Sequence, residues 1–339
     1  MTTIRFAVTL LLTGVLFVLN IYIGSVDIPI ETVNDILFRG GDAEGPLRFI
    51  VIGSRLPQAI TALLAGAGLT VAGLMLQTAF RNPLAGPSIL GITSGASLGV
   101  AFVILFLGGS ISLAGYTWGG YLAVLLGAFL GSLAIMALLL LFSVWLKNDL
   151  MLLITGVMVG YLTSSVITIL NYLSTAEGVH GYVAWGMGNF NGVSLGQLPV
   201  FAATVCAGLL MAILLAKPLN VILLGENYAH NLGVNMMWVR NILLLATGLL
   251  TAVVTAFCGP VSFIGLAVPH IVRMIFRVAD HRLIIPACIV TGGGIGLLCN
   301  LLCILPRNIM LPLNGVTPLI GVPVILYVIF KERLTRKSR

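Results

Sequence analysis

From residue 82 to residue 146 the chain carries no Asp, Glu, Lys or Arg. An apolar stretch of that length cannot be hidden in the core of a water-soluble domain. It is also too long for a single membrane crossing, which takes about 20 residues. Its natural break lies between Gly108-Gly109-Ser110 and Gly119-Gly120, because clustered glycines interrupt apolar helices. The whole chain follows the same pattern. Of its 339 residues, 59% are hydrophobic and 8% charged, against about 25% charged in a soluble domain. A soluble enzyme and a nucleic-acid binder are thereby excluded, and a polytopic protein of the lipid bilayer is specified.

Dividing the apolar runs at charges and at Pro/Gly or Asn-rich breaks predicts an all-α transmembrane domain over residues 1–339 with ten spans. These are 6–24, 57–79, 88–108, 121–145, 150–172, 196–216, 241–258, 261–278, 284–305 and 314–331. The first run is long for a secretory signal, lacks a small-residue cleavage site, and is followed by further spans. Ten spans place both termini on one side. Thirteen basic residues fall on that side (Arg5, Arg81, Lys147, Lys217, Arg240, Arg273, Arg277, Arg282 and five in the tail from Lys331), against Arg39, Arg48, Arg55 and Arg307 on the other. Positive residues accumulate on the cytoplasmic face, so both termini are expected there.

All ten carboxylates sit in loops or at span ends. Ion-coupled carriers commonly hold such groups mid-membrane, which counts against the main rival reading, an ion-coupled secondary transporter. Thr78-Ala79-Phe80 followed by Gly86-Pro87-Ser88-Ile89-Leu90-Gly91 has a partner in Thr255-Ala256-Phe257 followed by Gly259-Pro260-Val261-Ser262-Phe263-Ile264-Gly265. The two copies fall on opposite sides of the predicted topology, as an inverted transporter repeat requires.

No G-x-x-x-x-G-K-[ST] occurs, so the chain has no P-loop of its own. Gly95-Ala96-Ser97-Leu98-Gly99 matches the G-x-S-x-G nucleophile elbow, which needs a strand-to-helix turn. Gly91, Gly95 and Gly99 read better as a small-residue helix contact. The five cysteines show no metal spacing and are read as packing residues. His270 has no evident acid or base beside it and is read as a structural, hydrogen-bonded residue.

The loop 217–240 is the most informative polar segment. Gly225 can break the preceding helix, Glu226 suits a helix N-terminus, and Gly233 stands where a C-terminal cap belongs. The pattern predicts a short capped helix outside the membrane.

Glu226-x-x-Ala229-x-x-Leu232-Gly233 resembles the coupling-loop signature of permease subunits in bacterial ABC importers. Other segments place the chain more narrowly, as similar to the FecCD/BtuC-like family that imports iron–siderophore, haem or cobalamin. These are Arg55-Leu56-Pro57, Gln77 with Arg81-Asn82-Pro83-Leu84-Ala85, Ser94-Gly95-Ala96, Trp185-Gly186-Met187-Gly188, Gly259-Pro260, Phe263-Ile264-Gly265-Leu266, Pro269-His270 with Arg273, Asp280-His281-Arg282, and Gly315-Val316-Thr317 with Gly321-x-Pro323. The chain departs from the family pattern at Gln58, in place of a second Arg, and at Met310 and Cys303, with Arg307 nearby.

The resemblance implies a BtuC-like type II permease of the bacterial cytoplasmic (inner) membrane that breaks no bond itself. A homodimer is implied, with two cytoplasmic ATPase subunits and one extracytoplasmic solute-binding protein. ATP and magnesium would be held by the ATPase and no cofactor by this chain. Spans five and ten would line the path, with Asn82, Leu84, Lys147, Asn148 and Asp149 near its cytoplasmic exit. Gly225, Glu226, Ala229, Leu232 and Gly233 would couple to the ATPase. Arg55, and more weakly Arg48 and Arg307, would pair with carboxylates of the binding protein.

Overall fold

The computed structural model describes residues 2–39, 45–113, 116–146, 149–225, 231, 233, 235–306 and 309–337. Its helices are α1 Thr2–Tyr22, α2 Ile30–Asn34, α3 Pro46–Arg48, α4 Leu56–Ala79, α5 Ile92–Ala101, α6 Tyr121–Leu146, α7 Asp149–Leu173, α8 Ala176–Gly186, α9 Leu198–Leu214, α10 Ala216–Leu223, α11 Met236–Cys258, α12 Ile264–Phe276, α13 His281–Ile304 and α14 Leu313–Lys337. Wider π-type turns over Phe49–Arg55 and Phe102–Phe106 make α3 continuous with α4 and lengthen α5.

Among the described residues six helices are long and apolar enough to cross a membrane, and the bent pair α9–α10 makes a seventh. The shorter apolar helices Ile92–Phe106, Ile264–Phe276 and Leu313–Tyr327 occupy the other segments predicted to span. Among the described residues the secondary structure is helical apart from one hairpin. Its strands β1 (Ser110–Leu113) and β2 (Tyr116–Gly119) pair antiparallel with Ser110 opposite Gly119. The hairpin fills the glycine-rich break, where Gly108, Gly109 and Gly120 all have positive φ.

Helix α4 is the hub. Some 83% of its apolar window is buried, against 17% for α1 and α7, so it has no polar face to turn outward. Glycines let its neighbours come close: a Cβ on Gly66 or Gly73 would collide with the carbonyl of Gly292 in α13 or Gly265 in α12. The same device joins α5 to α6, where Gly95 and Gly99 meet the backbone of Gly131 and Gly127. Ser97 therefore lies inside a helix, donating to the Thr93 carbonyl at 3.1 Å, with no strand or elbow about it.

Three features lie beyond what hydropathy alone could place. Helix α8 starts on Thr175, whose side chain accepts from the Gly178 N–H, a local cap that a span count does not register. Helix α10 extends the sixth span beyond a bend of 48°. Pro218 causes it: a proline has no N–H to donate and its ring crowds the carbonyl four residues back. Helix α13 starts on Asp280, which accepts from the Arg282 N–H at 2.9 Å.

Candidate functional site

The fold brings the sequence motifs to the two ends of the bundle. One end, the basic end, gathers Arg5, Arg81, Arg273, Arg277 and Arg282. Arg5 there reaches the Ile275 carbonyl at 2.9 Å, and Arg81, with φ +44°, reaches the Ile222 carbonyl at 3.5 Å. Thr78 lies at this end, whereas its repeat counterpart Thr255 leads to Gly259, which packs on Trp185 and Gly188 at the other. The two repeat copies are thus inverted in the fold.

At the basic end α4 runs out into a turn held on several sides. The Asn82 side chain accepts from the Leu84 N–H at 2.9 Å, and the Asn82 N–H donates to the Gln77 carbonyl at 3.2 Å. His270, only 7% exposed, stands 2.8 Å from the Pro83 carbonyl. A carbonyl only accepts, so Nε2 carries the proton there. Gln77 accepts from Arg273 at 2.8 Å and donates to the Leu266 carbonyl at 3.1 Å. Leu84 is exposed at the tip.

Beside this turn α10 leads into the polar loop. The Gly225 N–H closes α10 on the Ile222 carbonyl at 3.1 Å. Gly225 and Gly233 have φ of +115° and +76°, backbone that glycine adopts without steric cost. Asn235 then caps α11, accepting from the Trp238 N–H. Glu226, Ala229 and Leu232, and with them Lys147, Asn148 and Arg307, lie outside the described residues; Asp149 opens α7.

The opposite end corrects one expectation. Arg55 does not point outward to a partner's carboxylates: it is 4% exposed. Its guanidinium donates to the carbonyls of Ile21 at 3.0 Å, Tyr22 at 2.9 Å and Val26. Gly24 leaves it room, since a Cβ there would stand 2.5 Å from Arg55 Nε. Arg48 is half-buried in a shallow cleft with Phe49, Gly53 and Ser194.

Polar groups set inside the apolar runs complete this end, and of these only Gln58 stands out in the sequence. Gln58, at the family's second Arg position, donates to Asn300 Oδ1 at 2.8 Å, and Asn300 donates to Asn20 Oδ1 at 2.7 Å. Asn20 in turn donates to the Leu16 and Leu297 carbonyls. Asn314 bonds the Gly186 carbonyl at 2.9 Å and the Pro260 carbonyl at 2.7 Å, and accepts from the Ser262 N–H at 3.1 Å. Three separated motifs meet on that one carboxamide. The available signal was an amide inside an apolar run, which must find partners in a membrane.

Helix α7 carries a different feature. Tyr161, Ser165, Thr168 and Tyr172 follow helical spacing on one exposed face, with Tyr161 68% and Tyr172 88% exposed. Ser165 and Thr168 give their protons to the Tyr161 and Ser164 carbonyls at 3.1 and 2.9 Å. This leaves the two phenols as the polar groups of the row, beside an exposed apolar row of Met158, Leu162, Ile169 and Leu173.

The FecCD transport family model matches residues 11–331. The vitamin B12 import system permease protein BtuC of Salmonella paratyphi A is 35% identical over 279 residues, 82% of each chain. Its counterpart in Escherichia coli O9:H4 is 34% identical over 280 residues, 82% of this chain and 83% of that one. A protein assigned as a metal-chelate type ABC transporter, solved in an inward-facing conformation, superposes with a TM-score of 0.84 at 28% identity, covering 98% of this chain and 100% of that one.

Proposed function

The chain belongs to the FecCD transport family, and from that premise we propose that it is the membrane subunit through which a bulky metal chelate enters a bacterial cell. The chelate is a siderophore complex, haem or cobalamin, and ATP hydrolysed on a separate subunit drives its entry. Relatives named for vitamin B12 import and a neighbour assigned to metal chelates support that cargo class. Two copies of the chain enclose the path, two ATPases attach at the basic end, and a solute-binding protein docks opposite. Both termini lie in the cytoplasm.

The hydroxyl stripe of α7 is the observation that carries this reading. A path for a polar chelate needs a wall that tolerates water, and Tyr161, Ser165, Thr168 and Tyr172 provide one on a helix of which only 17% of the apolar window is buried. No Asp or Glu lies between the ends of a span, which leaves an ion-coupled carrier without the usual carboxylate relay.

The loop between Gly225 and Gly233 is the seat of the ATPase, with Ala229 and Leu232 as its apolar contact. Capping and dipole terms contribute about 1 kcal/mol each, so changes here leave the helical bundle standing. Ala229→Arg is expected to insert normally and to dock the binding protein, but to lose ATPase assembly or stimulated hydrolysis. Transport by Ala229→Arg with wild-type ATP dependence would reduce this loop to a connector.

A further inference from the structure

A loop that receives force from an ATPase is useful only if the helix behind it cannot yield. Helix α10 has eight residues and hinges on α9 through a 48° bend. Its apolar side, Ala216, Leu219 and Ile222, is buried, but apolar contact is non-directional and resists rotation or sliding poorly. A push on the loop could be dissipated at the bend.

A polar chain spans this gap. The Asn220 side chain accepts from the His281 backbone N–H at 2.7 Å and lies 2.8 Å from His281 Nδ1. A backbone N–H can only donate, so the nearby atom is the amide oxygen, and Nδ1 carries a proton toward it. The Asn220 nitrogen donates to Asp280. On its far side, the Thr78 hydroxyl lies 2.9 Å from His281 Nε2 and 2.9 Å from the Leu74 carbonyl, and with Nδ1 protonated it gives its one proton to one of these two acceptors. His281 and Thr78 are 2% and 3% exposed. The Arg282 N–H and then the Asn220 side chain hold the Asp280 carboxyl below the usual carboxylate range, keeping it an acceptor at neutral pH.

We propose that Asn220 is a positioning residue for energy coupling, bracketing α10 to the start of α13 and, through His281, to the end of α4. Thr78 lies a few residues before the Asn82–Leu84 turn. Motion of the loop is therefore passed to that turn as one body instead of being lost at the bend. This rests on the reading of the 225–233 loop as the ATPase seat.

The test uses the assembled importer in liposomes, with native cysteines replaced and Ser88→Cys, exposed in the turn after α4, as reporter. The probe is ATP with vanadate and the readout is the thiol-labelling rate. In the otherwise wild-type protein, nucleotide is expected to change that rate. Asn220→Ala is expected to bind the ATPase and hydrolyse ATP within about twofold of wild type, with the nucleotide-dependent change reduced at least about fivefold.

Asn220→Asp removes the donor and sets two carboxylates together, so it is expected to fail in the same way. Asn220→Asp with Asp280→Asn leaves a single carboxylate and sets an amide donor opposite position 220 again, while the Arg282 N–H loses the oxygen it shared with Asn220. It is expected to recover most of the response. A role in stability alone would not produce that rescue with hydrolysis unchanged. A full response in Asn220→Ala, or a swap that stays as defective as Asn220→Asp, overturns the bracket alone. If ATPase fails to bind the wild-type chain, or Ser88→Cys labels identically with and without nucleotide, the reading of the loop falls and the bracket with it.

Discussion

A guanidinium can be taken out of water only where acceptors replace the solvent, and Arg55 has three carbonyls, those of Ile21, Tyr22 and Val26. They belong to the end of α1 and the segment after it, so the side chain staples the first span to the hub helix. Truncation leaves these carbonyls without their donor, at about 1–3 kcal/mol for each one that stays buried. Arg55→Ala is accordingly expected to lower the melting temperature of the purified permease markedly, as read by thermal unfolding in detergent. Half-buried Arg48 remains the better candidate for contact with a binding protein. If Arg55→Ala melts like wild type but captures the binding protein poorly, the docking role returns to Arg55. The sequence marked Arg55 as important, but its place at a span end suits a rim residue and a staple equally, and only the course of the chain around Gly24 separates them.

Among the helices, exposure divides two kinds of outer span. Helices α1 and α7 are equally bare, with 17% of each apolar window buried. Yet α1 shows apolar side chains such as Leu10, Leu11, Leu12 and Val15, while α7 sets its hydroxyl stripe beside an apolar row of Met158, Leu162, Ile169 and Leu173. Charged thiol reagents need water, so Ser165→Cys is expected to react with a charged methanethiosulfonate in the assembled importer and Leu11→Cys to stay inert. Equal reactivity of the two, or inertness at 165, would place α7 against lipid. Segment existence and type were legible here because about 20 apolar residues in a row allow few alternatives. The bend before α10 and the existence of α8 were not, since Pro218 and the Thr175 cap act over single turns that no span-length window resolves.

For the molecule as a whole, the basic end gathers the start of α1, the end of α10 and the turn after α4, which sets a sidedness for experiment. Ser338 is expected to be cytoplasmic and Ser25 outside. In intact cells without native cysteines, an impermeant reagent should label Ser25→Cys and spare Ser338→Cys, and the reverse pattern would invert the whole map. Membrane class, the apolar segments and their alternating direction follow from the sequence by itself, because lipid penalises every exposed charge and backbone group and so forces helices of set length. The Gly95 and Gly99 contact was equally readable, since a helix without side chains on one face invites a close neighbour. Gly91, read with them, instead precedes α5 with φ +77° and faces Gly156 of α7. Which helix became the hub, which amides joined into Gln58–Asn300–Asn20, and how Asn220 reached His281 were decided by tertiary structure alone. Those partners are separated by up to 280 positions in the chain, and a hydrogen bond depends on where two groups arrive in space, which no local pattern of residues encodes.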